Sequence, residues 1–162
     1  MVDRTELPYR KNCEGYFFFE NKVLAQDSSR GYVLFPGGGI NENEGLGEGI
    51  LRETFEETGA VIKNLKKIGV IYFDWGKDWA KTKKQKSRYV NFRGEEMNLF
   101  TGEIEKFKTP KGDPKDEWQG ELLSDIGEII DLINSNKPFP KEMKEYYSIQ
   151  LDFLKKQLGC LE

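Results

Sequence analysis

The chain has 162 residues and a formal net charge of −3, with 25 Lys plus Arg against 28 Asp plus Glu. That length suits one globular domain, and the near balance of charge supplies no global basic field for duplex nucleic acid or an anionic membrane. Histidine is absent, which excludes Ser-His-Asp and Cys-His catalysis, imidazole zinc sites and any histidine general base. Only 37% of the residues are hydrophobic, yet 11 Phe, 7 Tyr and 3 Trp supply side chains large enough to build a core. Cys13 and Cys160 stand far apart with no CxxC spacing, so they read as free thiols rather than as a disulfide framework or a zinc site. No apolar run approaches the ~20 residues of a membrane span, and a soluble cytoplasmic protein without a membrane partner is expected.

In chain order, residues 15–19 and 23–26 read as two strands around a turn at Glu20, Asn21 and Lys22, and 32–35 as a third. Pro36, Gly37, Gly38 and Gly39 then favour an irregular turn with close backbone approach. A helix over 46–58 should follow, capped by Asn43 or Glu44 and closed by Gly59. Residues 61–74, 87–92 and 97–104 read as strands of a mixed or antiparallel sheet. The basic stretch 81–88 and the Pro- and Gly-bearing stretch 105–117 read as exposed loops. Leu122, Leu123, Ile126, Ile129, Ile130 and Ile133 follow helical spacing, with Ser124 or Asp125 near the start, and 143–158 marks a terminal helix. No repeat or linker divides the chain, so one layered α+β domain over residues 1–162 is expected.

The chemistry is concentrated in residues 38–60, where a glycine loop leads into a helix bearing Glu53, Glu56 and Glu57. At ~100° per residue, Glu56 falls about 60° to one side of Glu53 and Glu57 about 40° to the other, so all three share one face. Leu51 and Phe55 point the opposite way and are expected to pack the helix down. By itself such a face describes a solvated acidic surface. Gathered carboxylates repel one another unless a cation offsets them, and an oxygen-only donor set suits Mg²⁺ or Mn²⁺, which complete their shells with water and substrate phosphates. No P-loop lysine motif is present to suggest the other common route to phosphate chemistry.

Gly38, Glu44, Arg52, Glu53, Glu56, Glu57 and Gly59 all stand at the fixed spacings of the Nudix box, and the stretch resembles that box. Thr54 and Ala60 occupy positions where bulky aliphatics are usual. The resemblance implies an α/β/α sandwich with a mixed β-sheet and the box as a loop-helix-loop. It implies metal-dependent hydrolysis of a nucleoside diphosphate linked to another group. Glu56, Glu57 and the Gly38 carbonyl would be metal ligands, Glu53 a ligand or the base that orients water, and Arg52 with Glu44 would hold the carboxylates in place. The cofactor would be Mg²⁺ or Mn²⁺ and the partner a small nucleotide, with a homodimer left open.

Tyr72, Trp75 and Trp79 follow the box where relatives place base-contacting residues, though core packing suits them equally. A further acidic ligand in such enzymes comes from a late loop, for which Asp116, Glu117 and Glu121 beside Trp118 are candidates. Nucleoside triphosphates or their oxidised forms lead the expected substrates, ahead of dinucleoside polyphosphates, ADP-ribose and nucleotide sugars. A nucleotide sensor without turnover is the second reading. An RNA-end hydrolase using residues 81–88 is the third, but that run is read first as a solvated surface and not as a nucleic-acid site.

Overall fold

A computed structural model describes residues 3–109, 118 and 120–161, the side chains of the last two excepted. Its centre is β1 (Tyr9–Phe19), which carries the aromatic run Tyr16, Phe17 and Phe18 into the interior. One edge of β1 runs parallel to β7 (Gly94–Phe107), in register from Tyr9 with Gly94 to Phe18 with Glu103. Beyond β7 lies β6 (Ala60–Asp74), antiparallel to it and interrupted by three register shifts. The other edge of β1 is shared. Phe18 and Phe19 turn through Glu20 and Asn21 into β2 (Lys22–Leu24), while Asn12, Cys13 and Glu14 pair with β5 (Gly37–Gly39). β8 (Leu123–Asp125) closes the sheet against β2. A separate two-stranded piece joins β3 (Gln26–Asp27) to β4 (Val33–Leu34).

Alternation along β1 sends Tyr16 and Phe18 to one face and Cys13 and Phe17 to the other. On the first face they meet Leu99, Ile71 and the buried isoleucines of α3 (Ile126–Asn134), with Leu151 and Leu154 of α4 (Lys144–Leu161). On the second they meet Phe100, Ile104 and Ile50 of α1 (Leu46–Thr58). The sheet is therefore mixed and sandwiched between helices, the α/β/α arrangement expected. Each buried aliphatic side chain contributes on the order of 1.5–3 kcal/mol to holding these layers. Among the described residues, no helix is long and apolar enough to cross a membrane.

Several local expectations are corrected. The triple glycine is a strand, not an irregular turn, because glycine alone lets the loop lie against β1: a Cβ on Gly37 would collide with the Cys13 carbonyl oxygen. Neither Asn43 nor Glu44 caps α1. Gly45 is the N-cap, Asn43 turns into the left-handed region at φ 65°, and the Glu44 carboxylate bonds elsewhere. Gly59 closes the helix in the left-handed conformation as expected, at φ 76°. Residues 87–92 are not a strand, nor 81–88 a loop: α2 (Lys83–Asn91) spans both, started by a capping box in which Thr82 and Gln85 satisfy each other's backbone N–H groups. Leu123 belongs to β8 rather than to a helix from Leu122, since the free edge of β2 takes it as a partner. α3 begins one strand later, capped by the Asp125 carboxylate, which accepts from Gly127 N at 3.0 Å.

Candidate functional site

Helix α1 packs through Ile50, Thr54 and Thr58, all buried, and not through Leu51, which is 38% exposed. This buried stripe lies beside the carboxylate face rather than opposite it. The rotation brings Glu53 and Glu57 down against β5. The Glu53 carboxylate lies close over Gly38, where a Cβ would stand 2.6 Å from its carboxyl carbon and push it aside. Glu57 Oε1 accepts from Gly37 N at 2.9 Å, and its Oε2 accepts from the indole Nε1 of Trp118 at 3.1 Å.

Arg52 organises the remainder. Its Nε donates to Glu44 Oε2 at 2.7 Å and its Nη2 to Glu44 Oε1 at 3.0 Å, a bidentate pair. Nη2 also reaches the Gly39 carbonyl at 2.9 Å, and Nη1 donates to Glu53 Oε1 at 3.1 Å and Glu56 Oε2 at 3.2 Å. Glu44 is fixed further by Asn41 N at 2.9 Å, and the Arg52 bond lowers its pKa. Burial raises the pKa of Glu53, opposed by Arg52 and reinforced by the charges of Glu56 and Glu44. Cys13 is a free buried thiol that donates to the Gly38 carbonyl at 3.3 Å, and burial pushes its pKa up to about 12. It is inert at neutral pH.

The expected residues Gly38, Glu44, Arg52, Glu53, Glu56 and Glu57 thus stand together. Four carboxylates against one guanidinium leave a negative excess, and oxygen donors of this kind are the type that suits a hard divalent cation. As the side chains stand, Arg52, Gly37 and Trp118 occupy the carboxylates, and no three His, Cys, Asp or Glu side chains among the described residues form a ligating array. The fit is one of donor type and charge.

A cleft of about 350 Å³ opens on the α3–α4 face, lined by Phe73, Trp75, Trp79, Glu95, Met97 and Tyr146 among others. Trp75 and Trp79 stack at 3.7 Å with planes 3° apart. Glu95 of the cleft accepts from Asn12 Nδ2 and lies 4.0 Å from Arg10 Nη1, and Arg10 in turn stands over Gly39, whose carbonyl Arg52 bonds. Tyr72 is not brought there: it is 52% exposed and packs on Tyr9, since its neighbour Phe73 takes the cleft face. Glu117 and Asp116 lie outside the described residues, and Glu121 is exposed. Trp118, Arg10, Asn12 and Glu95 escaped the sequence reading. A period-two signal existed for part of this set, because Arg10, Asn12 and Glu14 alternate in step with Tyr16 and Phe18. The strand expected from Gly15 begins instead at Tyr9.

A family model described as the NUDIX domain matches residues 15–124. YtkD of Bacillus subtilis strain 168, provisionally assigned as an 8-oxo-dGTP diphosphatase, is 32% identical over 123 residues, covering 76% of this chain; the chain spans 65% of that curated relative's length. The crystal structure of a mutant of the Bacillus subtilis pyrophosphohydrolase BsRppH aligns with a TM-score of 0.60 at 24% identity, over 99% of this chain and 90% of that one. A MutT protein from Bacillus halodurans aligns with a TM-score of 0.53 at 21% identity, over 88% and 82%. At these identities the structural likenesses concern the fold. With the domain match covering most of the chain and its box residues gathered around Arg52, the protein belongs to the Nudix family.

Proposed function

We propose that the chain is a metal-dependent pyrophosphohydrolase that cleaves a phosphoanhydride in a nucleoside diphosphate linked to a further group, with nucleoside triphosphates or their oxidised forms favoured. The observation that carries the reading is the Arg52-centred carboxylate cluster, linked through Gly39, Arg10 and Glu95 to the cleft that holds Trp75. The name of the YtkD relative supports the preference for triphosphates. A free nucleotide in the cytoplasm is part of the same reading.

Glu53, Glu56, Glu57 and the Gly38 carbonyl would hold Mg²⁺ or Mn²⁺, with Glu117 a further candidate from outside the described residues. When bound, such a cation neutralises phosphate charge and acidifies water. Arg52 and Glu44 keep the carboxylates oriented, as their bidentate bond allows. Water adds to phosphorus as the anhydride P–O bond breaks, Glu53 takes the water's proton, and the leaving phosphate departs with the bonding electrons. Trp75 offers its ring to the base by stacking.

The test is product release from nucleoside triphosphates, dinucleoside polyphosphates, ADP-ribose and nucleotide sugars, with Mg²⁺, with Mn²⁺ and with chelator. Turnover should need metal and fall by at least about 10²-fold in Glu53→Gln and Glu57→Gln, the range in which a positioned acid–base group contributes. Metal binding without turnover of any substrate would replace the enzyme with a nucleotide sensor.

A further inference from the structure

The mechanism above gives no task to Arg10 of β1 or Arg88 of α2. The Arg10 guanidinium rests over the α-carbon of Gly39, where any Cβ would collide with its Nη2. The carbonyl of the same glycine accepts from Arg52 Nη2, so Arg10 stands one residue from the carboxylate cluster. On its other side, Nη1 is 4.0 Å from Glu95 Oε1, the limit of an ion pair, and Glu95 is already engaged by Asn12.

Arg10 is only partly exposed, its side chain at 22%, and its guanidinium donates no hydrogen bond to another described residue. A guanidinium offers five N–H donors, and withdrawing them from water without acceptors is unfavourable. Arg88 adds to the cost. Burial lowers the proton affinity of Arg10, and the charge of Arg88 lowers it further. Arg88 itself forms no ion pair among the described residues. Its helix is held by the N-terminal segment: Arg4 donates to the Tyr89 and Phe92 carbonyls at 2.7 and 2.8 Å and lies 3.4 Å from the Tyr89 ring centroid. The charges of Glu95 and Glu53 offset the effect of Arg88 on Arg10 in part, but neither carboxylate takes a hydrogen bond from the Arg10 guanidinium, and Glu95 stands at the 4.0 Å limit. An arriving anion would relieve that arrangement.

We propose that Arg10, backed by Arg88, seats the substrate phosphate lying between the carboxylate cluster and the aromatic cleft. The location of the reacting phosphates rests on the hydrolase reading; the seat itself does not require turnover. Arg10 supplies a planar fork suited to two phosphate oxygens. Arg88 adds charge from a helix inserted between β6 and β7, so a chain lacking α2 would lose that half of the seat.

The probe is a nucleoside triphosphate with methylene groups at both bridges, which cannot be cleaved at either, titrated calorimetrically at saturating Mg²⁺. Mg²⁺ affinity is measured on the same proteins, and thermal melts check folding. Arg10→Ala should weaken the analogue at least about tenfold, the size of a charge-assisted bond. Arg88→Ala, on a partly exposed helix, should weaken it about threefold from the loss of a screened charge. Arg10→Lys should recover part of the loss, and Mg²⁺ affinity should hold in all three. Unchanged analogue affinity in Arg10→Ala, a parallel loss of Mg²⁺ affinity, or no analogue binding by the wild-type protein would overturn the proposal. Arg10-dependent binding in a protein that turns over no substrate would sink the hydrolase and leave the seat. Turnover by Arg10→Ala at wild-type KM would do the reverse.

Discussion

At the residue scale, the site turns on Arg52. One guanidinium spans Glu44, Glu53, Glu56 and the Gly39 carbonyl, which a lysine ammonium cannot do because it offers a point charge without a planar fork. Arg52→Ala should lower Mg²⁺ affinity about 10- to 100-fold by releasing the carboxylates that it orients. Arg52→Lys should recover little of that loss. Calorimetric titration of Mg²⁺ into the three proteins checks this, and equal affinities would show that the carboxylates hold their places without it. Helix spacing puts Glu53, Glu56 and Glu57 on one face, where Arg52 bonds the first two and Gly37 N the third. Which of them faces backbone was not legible, because it depends on Gly37 and Gly38 arriving from another strand.

At the element scale, α1 is buried on a face different from the one its large apolar residues suggest. Leu51 and Phe55 marked one side, yet Ile50, Thr54 and Thr58 meet the sheet. Thr58 Oγ1 donates to the Thr54 carbonyl at 2.7 Å, whereas Thr54 Oγ1 is buried without a hydrogen-bond partner among the described residues. That hydroxyl stands where an aliphatic side chain is usual in the family. Thr54→Val keeps the shape and removes the unsatisfied group, so it should stabilise the protein by about 1 kcal/mol. Urea unfolding measures it; a loss of stability would mean that the hydroxyl is satisfied in solution. The helix α2 teaches a related lesson. Tyr89 and Val90 resemble a strand fragment by composition, but the Thr82–Gln85 capping box and the run of straight-chain residues outweigh them.

At the scale of the whole molecule, Glu14 ties the C-terminal helix to the central strand. Its carboxylate accepts from Tyr16 Oη and Tyr146 Oη, each at 2.5 Å, and from Gln150 Nε2 at 3.2 Å. Burial raises its pKa despite these three donors and is reinforced by the charge of Glu95. A carboxyl raised on folding contributes stability that is present below its ordinary value near 4.5 and is lost as pH climbs through the folded value. The stability of wild type relative to Glu14→Gln should therefore decline as pH rises from about 4.5, and then level off. Parallel stability curves for the two proteins across that range would show that burial does not control this carboxyl.

The sequence alone determined the chemistry-bearing helix, its glycine stop and the family, because glycine and carboxylate spacings within 23 residues are local properties that one loop and one helix express together. Tertiary structure decided what touches that helix. Arg10, Glu95 and Trp118 come from β1, β7 and a late segment, separated along the chain by tens of residues, and no spacing rule links them. Their meeting depends on parallel pairing of β1 with β7 and on the narrow approach of Gly37–Gly39 to β1. Pairing of that kind is settled by packing on both faces of the sheet at once, which a linear pattern does not contain.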